Sequence, residues 1–333
     1  LRSFGGGILT ALSAQMLANS DFLTGAFPAE YSNALSGVFD MNLRNGNSEK
    51  PERTIQLGLI GLEASQEGPF KTGGKSSYVY NYRYSTLGLL EPALPDGASS
   101  IKYQDLSFKL NFPTKRAGVF SIWGFGLIDG AQNNPKKDPL DRKYFDDSQE
   151  DKIKMRTGSL GINHKIFLKN SAYLQSVVSA SANETDWKTR SLDPSEQLVP
   201  FSNISNSNLE YALSTFLNKK FSTRHINRTG VRIRHLIYDL QLNRAQNVGD
   251  NPLEIVNSGG SSILSSAYTN STIFLTSRLK FNGGITAQHF SLNNNYSIEP
   301  RLALSQTIGE KYTLGLAYGL HSRIESLYMY FNN

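Results

Sequence analysis

From about residue 53 to near its end, the chain alternates apolar and polar residues with a period of two. Tyr78, Tyr80, Tyr82 and Tyr84 fall on one side of a segment whose other side carries Val79, Asn81, Arg83 and Ser85. Leu106, Phe108, Leu110 and Phe112 oppose Ser107, Lys109 and Asn111; Leu160, Ile162, Ile166 and Leu168 oppose Ser159, Asn163 and Lys165. Ile273, Leu275, Leu279 and Phe281 oppose Thr276, Arg278 and Lys280, and Leu314, Leu316, Tyr318 and Leu320 close the series. Successive side chains of a strand point to opposite faces, so the pattern predicts strands with one apolar and one polar face. They fall near 54–60, 61–70, 76–90, 101–112, 118–129, 152–168, 172–187, 208–219, 226–243, 267–281, 284–292, 297–308 and 312–331. Before them, Ile8, Leu9, Leu12, Met16 and Leu17 recur at helical spacing and predict one short helix over about 8–18.

A soluble sandwich would alternate in the same way, so the connections have to discriminate. Tight polar links at Pro113-Thr114-Lys115-Arg116, Lys169-Asn170-Ser171, Asn282-Gly283 and Gly309-Glu310-Lys311 alternate with longer linkers around 91–100, 129–151, 189–207 and 244–266. Asn-Gly is a strong hairpin signal because a type I′ turn needs positive φ at both central residues. Short turns on one side and long loops on the other, joined by long strands, describe a transmembrane up-and-down β-barrel. The expected fold is therefore all-β: an antiparallel up-and-down transmembrane β-barrel left open, because about thirteen strands are an odd number where single-chain barrels have an even one.

Composition removes several alternatives. The 34 basic and 28 acidic residues give a net charge of +6 and interleave along the chain, which argues against a nucleic-acid partner. With no cysteine, disulfides, thiolate metal sites and thiol nucleophiles are excluded. No apolar run is long enough for a spanning helix, whereas a barrel needs only every second residue apolar. The chain starts without Met or a signal peptide, and the start is expected to be internal to a longer protein.

The stretch Thr24–Gly46 resembles the end of the plug of a TonB-dependent outer-membrane receptor of the Bacteroidetes type. Gly25, Phe27, Pro28, Glu30 and Tyr31 match its Gly-Gly-Phe-Pro-Ala-x-Tyr-Gly segment, and Leu35, Ser36 and Gly37 its Leu-Ser-Gly-Val turn. Ser32 stands where the family usually has Gly. Tyr296–Leu302 and Tyr318–Ser322 resemble barrel segments of the same family. The resemblance implies a plug remnant over residues 1–50 and barrel from 51 to 333, with about nine of roughly 22 strands missing. It implies energy-coupled uptake of a scarce small solute across the bacterial outer membrane. Membrane lipid and an inner-membrane TonB-type energy-transducing complex would be partners, and a surface lipoprotein is compatible with it. Read without the family, Gly25, Gly37, Gly46 and Pro28 punctuate a small element, with a short strand at Val38–Leu43, placed before the wall.

No enzyme, cofactor or metal constellation emerges. His164, His225, His235, His289 and His321 form no ligand pair, and Gly124–Gly130 lacks dinucleotide-loop spacing. Lys and Arg interleave the acidic cluster Asp138, Asp141, Asp146, Asp147, Glu150 and Asp151, so it reads as a solvated loop. The Tyr78–Tyr84 ladder and Trp123 read as an aromatic girdle or as lipid-facing packing. Arg83, Lys109, Lys165, Arg232, Arg234, Arg278, Lys280 and Arg301 lie on the polar side of their strands and are the candidates to line a lumen. They would form a basic conduit for an anionic ligand or pair with the plug and neighbouring strands. The rival functions are a passive porin or adhesin barrel and a soluble glycan-binding β-protein.

Overall fold

The computed structural model describes residues 12–25, 27–58, 61–86 and 100–331. An N-terminal segment carries a two-stranded sheet, β1 (Asp21–Thr24) with β2 (Gly37–Asp40). One continuous antiparallel sheet of thirteen strands follows. It runs through β3 (Glu52–Leu57), β4 (Gly61–Pro69), β5 (Ser77–Ser85), β6 (Ser100–Pro113), β7 (Val119–Asn133), β8 (Gln149–Leu168) and β9 (Ala172–Leu192). The remaining strands are β10 (Leu198–Ser222), β11 (His225–Arg244), β12 (Leu253–Phe274), β13 (Leu279–Phe290), β14 (Asn295–Ile308) and β15 (Tyr312–Gly319). Every strand pairs only with its sequence neighbours, so β3 and β15 are open edges.

Register fixes the facing of every side chain. Leu110, Ile122, Ile162, Val178 and Leu213 form one cross-strand row. Ile162, Val178 and Leu213 in it are 51%, 58% and 43% exposed, as befits a surface made for hydrocarbon. On the opposite face lie Asn81, Asp105, Ser107, Asn111 and Ser121, all buried. The N-terminal segment touches this polar face at both β4 and β14, so that face is the concave one. Tyr78 to Tyr84 point outward, with the Tyr80 and Tyr82 hydroxyls donating to Gln66 and Gln104 at 3.0 Å each. Aromatic pairs mark the outward rim beside the short turns: Phe70 with Phe112, Phe120 with His164, and Phe221 with His225. Trp123 is not among them; it faces inward and lies flat over Gly161, where an added Cβ would sit 2.4 Å from its ring.

Four expectations are corrected. The helix over 8–18 falls partly outside the described residues; the described part is a single 3-10 turn, Ala14–Met16. Extended pairing wins there, because Leu17 bridges Leu43 and the Arg44 N–H donates to the Met16 carbonyl at 2.9 Å. Asn282-Gly283 is not a turn but lies inside β13, opposite Thr272 and Ser271 of β12. The reversal occurs at 275–278, where the Thr276 hydroxyl accepts from the Arg278 and Leu279 N–H groups. The linkers around 189–207 and 244–266 shrink to 193–197 and 245–252, because Asn- and Ser-rich sequence there continues the strands. Long and short connections therefore do not alternate strictly. Finally, the strand placed at 312–331 ends at Gly319, and the tail turns back across the concave face. Its Ile324, Leu327 and Tyr330 pack on Leu236, Leu264 and Phe290.

Strands β8–β12 run 20 to 25 residues, about twice what a tilted strand needs to cross a bilayer. They therefore extend beyond the apolar belt on the side of the 134–148 connection. Arg in place of Val178 should cost about 2–4 kcal/mol on refolding of the full-length protein into lipid, while Arg at its inward neighbour Ser179 should cost little. Equal losses would contradict the assigned facing. Residues 1–333 alone should not acquire the heat-modifiable gel mobility of a closed barrel, since each unsatisfied edge group costs several kcal/mol in hydrocarbon. Such mobility in the isolated chain would show that the edges close.

Candidate functional site

Two zones of the concave face hold the N-terminal segment. In the first, Arg44 makes a two-pronged ion pair with Glu67 on β4, both contacts at 2.7 Å. The same carboxylate accepts the Asn47 N–H at 2.7 Å, a third hydrogen bond that holds the segment to β4. Ser13 donates to Glu63 at 2.5 Å, Ser65 to the Gln15 side chain at 2.8 Å, and Lys109 Nζ to the Leu43 carbonyl at 2.6 Å. Gly46 is required by contact: a Cβ there would lie 1.9 Å from the Tyr78 carbonyl oxygen.

The second zone is the loop 27–33, seated on β11–β14. It lacks internal partners for most of its carbonyls, and a buried carbonyl left unpaired is costly. Arg301 supplies the donors: its Nη1 reaches the carbonyls of Phe27, Pro28 and Tyr31 at 3.4, 3.0 and 2.6 Å. Its Nη2 donates to Glu299 at 2.7 Å, and both side chains are 2% exposed. Burying that pair is tolerable only because the rest of the carboxylate is satisfied, by Gln288 at 2.5 Å, Ser297 at 2.9 Å and Ser322 at 2.5 Å. The guanidinium also lies 4.7 Å from the Phe27 ring, which stacks at 4.5 Å on His321. Burial and the adjacent Arg301 hold His321 below the usual imidazole range.

Further contacts complete the seat. Thr286 donates to the Ala29 carbonyl, Asn270 accepts the Ala29 N–H at 3.4 Å, and Arg228 pairs with Glu30. Ser32 donates to Ser266 at 3.4 Å, and Asn33 accepts the Ile324 N–H. Gly284 permits this approach, since a Cβ there would lie 2.8 Å from the Ala29 methyl. That contact, not a turn, explains the glycine at position 284, while a Cβ on Gly283 would meet the Phe281 ring at 2.8 Å. The loop's positive φ falls on Asn33, at 58°, and not on Ser32. Tyr31 donates to Asp40 at 2.8 Å, and burial with that bond raises its pKa.

The predicted residues separate accordingly. Phe27, Pro28, Glu30 and Tyr31 meet the wall, Gly25 has φ +77°, and Gly37 begins β2 beneath the Phe22 ring. Leu35 and Ser36 are exposed in the connection between β1 and β2. Arg83 pairs with Asp105 at 2.9 Å and Arg234 with Glu210 at 2.7 Å, while Lys165 lies 4.1 Å from the Tyr173 ring. Arg232 and Lys280 also occupy inward positions of β11 and β13. Arg278 does not: it sits exposed in the 275–278 turn, because β12 ends four residues earlier. Among the acidic cluster, Asp138 caps a 3-10 turn and Asp147 pairs with Lys136, and no group of possible metal ligands occurs among the described residues. Arg44, Glu67, Arg228, Asn270, Thr286 and Glu299 belong to the two zones without having been singled out. For Arg228 the signal was available, since it shares the inward phase of Arg232 and Arg234.

No protein-family model matches the chain, and no curated protein matches it in sequence. Solved structures do match in fold. The pyoverdine outer-membrane receptor FpvA of Pseudomonas aeruginosa PAO1, solved with pyoverdine, aligns over 92% of this chain and 51% of its own, with TM-score 0.70 and 10% identity. The copper transporter OprC aligns over 95% and 52%, with TM-score 0.68 and 11% identity. A variant of the ferric enterobactin receptor PfeA of P. aeruginosa aligns over 95% and 50%, with TM-score 0.62 and 14% identity. The chain thus spans about half the length of these proteins, and its fold is that of an open stretch of the barrel wall of TonB-dependent outer-membrane receptors.

Proposed function

We propose that residues 12–50 are the inner end of a plug and β3–β15 the adjoining wall of a receptor that takes up a scarce solute across the bacterial outer membrane, driven by a TonB-type inner-membrane complex. The observation that carries this reading is the seat of loop 27–33 on the concave face, with Arg301 bound to three of its carbonyls. A passive porin has no use for such an obstruction. A soluble glycan-binding β-protein would bury its apolar face against a second sheet, whereas here Leu160 and Leu316 are 54% and 67% exposed. Solved receptors of this fold are named for pyoverdine, ferric enterobactin and copper, cargoes too unlike each other to select the solute here.

The chain has no cysteine, so a disulfide can be introduced without competitors. The Ser32 and Ser266 hydroxyls lie 3.4 Å apart and suit a Ser32→Cys, Ser266→Cys pair. In the full-length protein, oxidation of that pair should abolish solute-dependent growth and reductant should restore it. Unchanged uptake by the cross-linked protein would overturn the requirement that this loop move. Arg301→Ala leaves Glu299 buried without its cation and should cost about 3–5 kcal/mol. Limited proteolysis should then cut within 27–33 in the variant and spare the wild type.

A further inference from the structure

Assembly of the wall sorts charges that interleave in the sequence. The six connections at one end, 70–76, 114–118, 169–171, 223–224, 275–278 and 309–311, are short, and each carries a basic residue. Lys71 and Lys75 lie in the first and Lys115 and Arg116 in the second, while Lys169, Arg224, Arg278 and Lys311 take one each of the others. Against these eight stands one acid, Glu310, for a net charge of +7. The described connections at the opposite end, 134–148, 193–197, 245–252 and 291–294, hold four basic and seven acidic residues, for a net charge of −3. The whole chain is only +6, so the short-turn end concentrates its positive charge.

All eight basic side chains are exposed, and none joins an ion pair among the described residues. Where the chain enters β3, Glu49 and Glu52 are matched in number by Lys50 and Arg53, and Glu67 on β4 is held by Arg44. Successive short turns stand two strands apart, about 10 Å, which is close to the Debye length at physiological ionic strength, so their fields merge into one basic rim. The rim also has a definite level. Phe70 with Phe112, Phe120 with His164, and Phe221 with His225 form the outward aromatic tier beside the turns, and Lys219 Nζ lies 5.4 Å from the Phe221 ring, joining the two tiers. Along the wall the order is apolar, aromatic, basic, which follows the bilayer's own order of hydrocarbon, interface and headgroup phosphate.

We propose that this basic rim is an interaction surface for anionic phospholipid headgroups in the leaflet on the short-turn side, the periplasmic side of a barrel of this kind. Each ammonium or guanidinium at a turn meets a phosphate where the wall leaves the hydrocarbon, and the net-acidic connections at the other end offer no such match. One singly charged lipid facing one basic group gains about fivefold over a zwitterionic lipid with the same chains. The proposal rests on the outward face being the membrane face.

The test reconstitutes the full-length protein in phosphatidylcholine vesicles with a trace of spin-labelled phosphatidylglycerol or phosphatidylcholine, and reads by electron paramagnetic resonance how much of each is held at the protein surface. The wild type should hold phosphatidylglycerol about fivefold over phosphatidylcholine at low salt, and the ratio should fall toward one at about 1 M salt. Lys71→Gln, Lys75→Gln, Lys115→Gln, Arg116→Gln, Lys169→Gln and Arg224→Gln together should lower the ratio at least twofold without changing the phosphatidylcholine held. Lys143→Gln, Lys154→Gln and Lys188→Gln, exposed toward the opposite end, should leave it unchanged. Equal retention of the two lipids by the wild type, a ratio that the six substitutions do not move, or one that the three distant lysines remove overturns the proposal. Salt acts on the unmodified protein, so a ratio indifferent to salt overturns it even where the substitutions impair folding. Sedimentation with purified peptidoglycan covers the other polyanion on that side: a wild type that binds the cell wall through the six residues and shows no lipid preference assigns the rim to that polymer instead. A wild type that restrains neither lipid refutes the reading of the wall itself.

Discussion

In hydrocarbon no water is present to pair a backbone N–H or C=O, so a wall that enters it must satisfy every such group within the sheet. The antiparallel ladder from β3 to β15 meets that constraint along most of its length; besides the two edges, Leu253–Ile263 of β12 have no strand partner on the β13 side. The rest follows from it. A continuous ladder forces strict two-residue alternation, which puts Val178 outward and Ser179 inward and separates a lipid surface from a polar one along every strand. One of the three register shifts, in β10 between Pro200 and Ser202, falls beside a proline that has no N–H to give; the others lie between Lys220 and Ser222 and between Leu242 and Asn243.

The concave face answers a second form of the same demand. The loop 27–33 brings backbone carbonyls and the Glu30 carboxylate into the interior, and the wall supplies donors from strands far off in sequence: Thr286 on β13 and Arg301 on β14 to the carbonyls, and Arg228 on β11 to Glu30. The two zones differ in character. Arg44, Asn47 and Glu67 tie the segment close to where it becomes β3, whereas the loop is held by a buried Glu299–Arg301 pair that belongs to the wall and would remain there, largely satisfied by Gln288, Ser297 and Ser322, if the loop left.

Much of this was legible in the sequence, and the gaps have physical causes. Long strands were underestimated where they pass above the apolar belt, because once both faces meet water nothing enforces alternation; Asn203–Asn208 and Asn257–Ser262 look like linker yet remain paired. Asn282-Gly283 carries turn chemistry, but its neighbour Gly284 serves close approach of Ala29, a need invisible without the partner. Arg278 kept the correct phase and lost its place on the wall only because the strand stopped short of it.

By itself the sequence determined the class of fold, the facing of nearly every strand and the presence of an element ahead of the wall, because period-two alternation and local backbone preferences are properties of neighbouring residues. Which inward charges would find partners, that the tail after Gly319 would fold back over Leu236, Leu264 and Phe290, and that Arg301 would serve the carbonyls of residues 27, 28 and 31 were decided only by the tertiary structure. Those contacts join residues some 270 positions apart. They exist only once the curvature of the sheet brings both ends of the chain to one concave face.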